Sequence, residues 1–387
     1  MPGARLTPRE LLARLVEFDT TSANSNLELV EFVEDYLSGH GIASRRVPSE
    51  DGEKASLVAT IGPEGVPGIG LSAHTDVVPV TDQKWSSDPF LLTECEGRLY
   101  ARGACDMKGF VACILAFAPE LMKRDLRTPV HLLLSYDEEV GCTGCRPMIA
   151  RLGTELPRPK LVIVGEPTSM RVVDAHKGIQ GFVTELTGKE AHSSMQHLGV
   201  NAIAAAGELI CEMNRIVAEM RDRADGPRFD PPYTTMQVGV IQGGTAMNIV
   251  PRHCRLRWQF RPVPATDPEE IPRRVQAFID GTLLPALKAA SPLAGVTTRR
   301  VSEVPALNAP KGSPAVSLAL KCAEQNETFA VSYGTEGGLF EQAGVPAVIC
   351  GPGDIAQAHA PDEFIHISEL DRCWRFLERL AEHAQAG

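Results

Sequence analysis

The 387-residue chain is 43% hydrophobic and 22% charged with a net charge of −11, a globular composition long enough for one large α/β domain or two. The acidic balance argues against a constitutive nucleic-acid binder, and no apolar run approaches the roughly eighteen residues of a membrane span. Met1-Pro2-Gly3-Ala4-Arg5-Leu6 lacks the apolar core of a signal peptide, and the 10 cysteines are scattered apart from Cys142 and Cys145, so reduced thiols and a cytoplasmic location are expected.

The first helix signal is Thr7-Pro8-Arg9-Glu10: an N-cap, a proline at the first helical position and a glutamate at the third. Leu11, Leu12, Leu15, Val16 and Phe18 follow at helical spacing. Ser25-Asn26-Leu27-Glu28 repeats the cap for a helix that should stop at Gly39. Residues 69–73 are a short apolar run that reads as a buried strand, 108–123 as a helix, and 130–135 and 161–164 as two further buried strands. From 178 the pattern changes. Strand 178–187, helix 200–221, strands 234–242 and 254–261, helix 268–290 and strand 296–304 give the order βαββαβ of a ferredoxin-like split unit. Ser313-Pro314 then caps another helix, and 346–350 is a last buried strand. The fold class expected is therefore α/β, a mixed and mostly parallel sheet flanked by helices, with an inserted ferredoxin-like α+β domain. Residues 1–177 and 305–387 form the first domain and 178–304 the insert.

Each buried strand is followed by polar residues able to do chemistry. His74-Thr75-Asp76 follows the first, Asp137-Glu138-Glu139 the second, Gly165-Glu166-Pro167 the third, and Gly351-Pro352-Gly353 and His359 the last. Open α/β sheets carry their sites at the carboxyl ends of strands, so these groups should converge. Asp106, opening the helix at 108, belongs to the same set. Two histidines and three carboxylates suit two divalent metals, one carboxylate bridging and each metal keeping one histidine and one terminal carboxylate. Of the adjacent Glu138 and Glu139, one can ligate while the other stays free to carry a proton. Asp76, two residues after His74, has the spacing of a carboxylate that fixes the imidazole tautomer. Taken singly, a histidine at a strand end is a polar end residue and a Glu-Glu pair a solvated turn. The joint pattern carries the reading.

His74-Thr75-Asp76-Val77-Val78-Pro79, Gly103-Ala104-Cys105-Asp106-Met107-Lys108-Gly109, Asp137-Glu138-Glu139-Val140-Gly141 and Gly165-Glu166-Pro167-Thr168 resemble the signature blocks of the di-zinc metallopeptidase and deacylase family. That family includes acetylornithine deacetylase, succinyl-diaminopimelate desuccinylase, carboxypeptidase G and aminoacylase. Ala191-His192-Ser193-Ser194, Leu198–Ile203 and Gly351–His359 are most similar to its acetylornithine branch. The resemblance implies that Asp106 bridges two zinc ions, His74 and Glu166 completing one position and Glu139 and His359 the other, with cobalt or manganese as possible substitutes. It implies Glu138 as general base, Asp76 as the carboxylate behind His74, and His192 as an oxyanion donor reaching over from the second subunit of a homodimer formed through the insert, which also acts as a lid. Asn248 and Arg261 match residues that bind the substrate's carboxylate end. The implied reaction removes the acyl group of an N-acyl L-amino acid, above all N2-acetyl-L-ornithine in arginine synthesis, with no nucleic-acid or membrane partner. A desuccinylase, dipeptidase or general aminoacylase shares the chemistry. A non-catalytic dimeric binding protein on the same fold would have lost a ligand or Glu138, and every position is filled. Two departures stand out: Met195-Gln196 where relatives carry a proline, which bears on acyl preference, and the glycines around Thr335-Glu336.

Cys142-Thr143-Gly144-Cys145 is a single C-x-x-C without the further ligands of a structural zinc site, and both thiols are read as packing residues. Cys105 has no evident histidine partner for a nucleophile. The sequence contains no G-x-G-x-x-G after a strand, no phosphate-binding loop and no G-x-S-x-G, so nucleotide and serine-hydrolase chemistry are unsupported.

Overall fold

A computed structural model describes residues 5–387, so Met1 to Ala4 of the N-terminal hexapeptide read above lie outside the described residues. The chain divides into two compact units. One comprises the residues up to Ala175 with 307–330 and 335–387, and the other 176–306 with 331–334.

The first unit is built on the runs that were most apolar in sequence. Val130–Ser135, Ile69–His74, Leu161–Pro167 and Ala347–Gly351 lie side by side in that order and run parallel. Every residue of these four strands is buried, as expected for a sheet covered on both faces. Antiparallel strands extend the sheet on either side: Ala55–Ile61 and Ser44–Pro48 beyond Val130–Ser135, and Val173–His176 beyond Ala347–Gly351. Helix Lys108–Met122 is buried almost all round, and it packs with Pro8–Val16 and Ile367–Ala386 in one apolar core.

The first helix starts as its sequence dictates. Glu10 N–H donates to Thr7 Oγ1 at 3.2 Å, and Thr7 N–H donates to Glu10 Oε2 at 2.8 Å. The second differs from expectation. Asn26 sits at the N-cap of Leu27–Gly39, but its side chain is spent elsewhere, donating to Ala55 O at 2.9 Å and accepting from Ala55 N–H at 3.0 Å. A buried amide that pairs with a strand satisfies both groups at once, whereas the exposed helix end can use Ser25 Oγ, which accepts from Leu27 N–H at 3.2 Å.

The second unit is a four-stranded antiparallel sheet in the order Thr235–Gly243, His253–Arg261, Ile179–Thr187, Gly295–Val304. Helix Ala202–Arg223 connects the first two strands in chain order, and Glu270–Phe278 with Leu284–Ala290 connects the last two. This is the ferredoxin-like arrangement. His253–Arg261 alternates exposed and buried residues, as a strand with one covered face must. Its buried Trp258 stacks on Phe182 at 4.4 Å between ring centroids, and the indole N–H donates to Thr184 Oγ1 at 3.0 Å. The single helix expected over 268–290 is interrupted by a wider turn at Ile279–Leu283. No helix among the described residues is long and apolar enough to cross a membrane.

Candidate metal centre

The strands aim their polar ends at one place. His74 is the last residue of Ile69–His74, and Glu166 lies near the end of Leu161–Pro167. Glu138 and Glu139 sit in the turn after Val130–Ser135, and His359 in the loop after Ala347–Gly351. Asp106 ends the turn that leads into helix Lys108–Met122. Glycine makes the close approach possible. A Cβ on Gly165 would lie 2.0 Å from the Phe110 ring, and one on Gly351 would lie 1.9 Å from Gly165 O. Asp137 and His359 take left-handed φ values of 54° and 62°, which cost roughly 1–3 kcal/mol each for residues with a side chain.

The five residues expected to ligate metal come together. His74 Nε2 is 3.0 Å from Asp106 Oδ1 and 3.8 Å from Glu166 Oε1. His359 Nε2 is 3.4 Å from Asp106 Oδ2 and 3.1 Å from Glu139 Oε1. Asp106 thus stands between the two imidazoles. One donor atom each from His74, Asp106 and Glu139 lie within 4.8 Å of one another, as do those from His74, Glu138 and Glu166. Glu138 therefore borders the same space. Its Oε1 accepts from the thiol of Cys142 at 3.3 Å, so Cys142 is more than the packing residue read from sequence.

Proton affinities show how tightly these groups share charge. Burial, and then the charge of Asp106, holds Glu166 well above the ordinary carboxylate range. Burial and the charges of Glu139 and Asp106 push Glu138 up to about 8, against the pull of His74. Hydrogen bonds to Asp106 and Glu139 push His359 up to about 10. His74 is also raised well above its usual value, because Asp106 and Asp76 outweigh the cost of burial. Burial thus raises Glu138, Glu139 and Glu166, whereas the two imidazoles hold Asp106 low against its burial, and so many acidic groups in so small a volume suit a divalent cation. A cation would ionise the carboxylates and leave the imidazoles neutral, and the mixed oxygen and nitrogen donors suit it.

Asp76 departs from its expected role. His74 Nδ1 meets the main-chain carbonyl of Asp76 at 2.9 Å, while the Asp76 carboxylate is 3.5 Å away. That carboxylate instead accepts from Glu138 N–H at 3.0 Å, from Glu139 N–H at 3.3 Å and from Ser22 Oγ at 2.7 Å. Its main work is to hold the Glu138-Glu139 turn. Burial opposes the charge, yet the charge of the neighbouring His74 and the bonds from Ser22 and Glu138 keep its pKa below the usual value.

His192, Asn248 and Arg261 lie in the second unit. His192 caps the short turn Ser193–Leu198, its Nδ1 2.8 Å from Ser194 Oγ. Ser193 N–H donates to Asn248 O at 3.0 Å, which places the His192 and Asn248 segments side by side. Arg261 ends the strand His253–Arg261, opposite Thr235.

Sequence gives Glu336 no role beyond its place in the Thr335-Glu336 pair and gives no signal for Glu363. Glu336 is buried and accepts from Ser72 Oγ at 3.0 Å and from Ser135 Oγ. Glu363 accepts from the main-chain N–H of Cys105 and Asp106 at 2.9 and 3.0 Å. A single acidic residue in a loop or helix start gives no signal of this kind by itself. Cys105 is buried, which pushes its thiol well up, and it donates to Asp354 O at 3.3 Å, as suits a residue that is no nucleophile.

Comparison with known proteins agrees with this architecture. Residues 70–383 match the family described as Peptidase family M20/M25/M40. A protein of Myxococcus xanthus named acetylornithine deacetylase is 36% identical over 100% of this chain and 99% of its own length. One of Proteus mirabilis with the same name is 34% identical over 94% and 92%. An M20 family metallo-carboxypeptidase from Sulfolobus solfataricus superposes with a TM-score of 0.78 at 19% identity, covering 98% of this chain and 99% of that one.

Proposed function

We propose a specific reaction from a fixed premise: the chain belongs to the Peptidase family M20/M25/M40. It is an amidohydrolase of that family, and its cofactor is a divalent metal. In our reading the substrate is N2-acetyl-L-ornithine, cleaved to L-ornithine and acetate in arginine biosynthesis. Support comes from relatives of that name at 34–36% identity over nearly the whole chain.

The observation that carries the hydrolytic reading is Glu138, a carboxylate of raised proton affinity beside Glu139 and within reach of His74 and Glu166. Two zinc ions, when bound, would polarise the amide carbonyl and lower the pKa of water. Asp106 would bridge them, His74 and Glu166 holding one and Glu139 and His359 the other. Cobalt or manganese would serve in their place. Glu138 takes the proton of the attacking water and delivers it to the leaving nitrogen. The main-chain carbonyl of Asp76 keeps the His74 proton on Nδ1 and so leaves Nε2 free to ligate. In the second unit, a lid and dimerisation domain in this reading, His192 supplies a hydrogen bond to the developing oxyanion of the partner subunit's site within a homodimer. Asn248 and Arg261 hold the substrate carboxylate.

The test is a kcat/KM panel of acetylornithine, succinyl-diaminopimelate and acetyl derivatives of neutral and acidic amino acids. Acetylornithine should rank first, activity should vanish on chelation, and zinc should restore it. A higher kcat/KM for the succinyl substrate or for a neutral acetyl amino acid would overturn the assignment.

A further inference from the structure

Most of the candidate ligands are held by burial: His74, Asp106 and Glu166 are 1%, 6% and 4% exposed. His359 is not. Its side chain is 51% exposed, and its backbone sits at φ 62° in a loop. Its position must come from ties to the chain around it, and the structure supplies a connected set.

Arg102 and Glu363 form a fully buried ion pair, Nη1 to Oε2 at 2.7 Å. The other carboxylate oxygen of Glu363 accepts from the N–H groups of Cys105 and Asp106 at 2.9 and 3.0 Å. Arg102 Nη2 donates to Gln83 Oε1 at 2.5 Å, and Nη1 also reaches Ala360 O at 3.3 Å. Trp85 Nε1 donates to the same Gln83 oxygen at 3.2 Å, and its ring lies 5.0 Å from the guanidinium. With its oxygen so engaged, the Gln83 amide points Nε2 outward, where it donates to His359 O at 2.8 Å. One chain of hydrogen bonds therefore runs from the main chain of Asp106 to the main chain of His359. Both residues are also candidate ligands through their side chains.

We propose that Gln83, Arg102 and Glu363 are positioning residues that clamp the His359 loop to the Asp106 turn, so that the metal position served by His359 is held only while Gln83 bonds the His359 carbonyl. This rests on the ligand assignment above. Gln83 is the informative residue because it is partly exposed and can be changed without stranding a buried charge. Gln83→Ala removes both contacts. Gln83→Glu keeps an acceptor for Arg102 but has nothing to donate to His359 O.

The experiment is a zinc titration of metal-stripped full-length protein by calorimetry and by competition with a chromophoric chelator. The parent, Gln83→Ala, Gln83→Glu and His359→Ala are compared, the last showing which binding event belongs to His359. Both Gln83 variants should weaken that event by roughly 10- to 100-fold and leave the other unchanged. Melting of metal-stripped Gln83→Glu, which keeps the acceptor for Arg102, should match the parent. If the parent takes up fewer than two metals, the ligand assignment falls and the clamp with it. If the parent takes two and both variants match it, the clamp alone falls. Parent-like affinity in Gln83→Glu overturns the role of the His359 carbonyl contact. Earlier melting with unchanged affinities makes Gln83 merely structural and also overturns the proposal.

Discussion

Asp76→Asn separates two roles that sequence spacing merges. If the carboxylate fixed His74, the substitution would weaken the metal position shared by His74 and Glu166. The structure gives that task to the main-chain carbonyl at 2.9 Å, which the substitution leaves intact. What changes is the Glu138-Glu139 turn. The amide oxygen can still accept from Glu138 N–H, and Ser22 Oγ can reverse its bond. The amide nitrogen cannot accept from Glu139 N–H, which loses its partner at a cost of about 1–2 kcal/mol for a partly buried donor. The bond from Glu138 N–H also falls from charge-assisted to neutral, about 1 kcal/mol more. Together these give about 2–3 kcal/mol, or ~30- to 150-fold in kcat if the turn must be ordered for proton transfer. The assay is kcat with acetylornithine beside zinc titration, with Glu166→Gln marking the His74 position. Selective weakening of the position that Glu166→Gln weakens would refute this reasoning and restore the carboxylate to His74.

Glu138→Gln should keep both metals by elemental analysis and near-normal KM while kcat falls at least ~10²-fold; lost metal would make Glu138 a ligand instead. His192→Ala should lower kcat by roughly 10²–10³-fold with zinc content unchanged. Mixing it with Glu138→Gln in a subunit-exchange titration should recover activity, and full exchange without recovery would place His192 within its own chain. His131, fully buried at the far end of the strand from the metal centre, has its pKa pushed by burial from 6.5 down to about 4. The unfolded chain takes up the proton first as pH falls, so stability is complete above pH 6.5 and is lost below it, by about 2 kcal/mol at pH 5. His131→Asn keeps a partner for Thr60 and should remove that part of the loss, measured as urea unfolding at pH 7.5 and 5.0; equal acid sensitivity in both proteins would contradict it.

The four central strands were readable because two-sided burial demands near-continuous apolar runs, and segments as short as Ile69–Ala73 or Leu161–Val164 suit a strand better than a helix. The polar residue after each run followed from the same logic, since a parallel sheet gathers its strand ends on one edge. Local pattern and resemblance are therefore enough to single out His74, Asp106, Glu139, Glu166 and His359. The C-terminal helix Ile367–Ala386 also left its mark in Leu370, Cys373, Phe376, Leu377 and Leu380 at helical spacing, although it was not among the expected elements.

What local pattern could not decide is which atom of a residue acts and on what. Asp76 was recognised, but spacing cannot tell its carbonyl from its carboxylate, and the two face different partners. Asn26 has the chemistry of a helix cap, and a strand 29 residues away claimed it. Cys142 reads as a small packing residue until the turn brings its thiol to Glu138. Glu363 and Gln83 carry no periodicity or motif, and their meaning lies in hydrogen bonds to loops 258 and 276 residues away along the chain. Periodicity records which face of an element is buried. A polar contact between distant loops depends on where the whole fold delivers each donor and acceptor, and only the tertiary structure decides that.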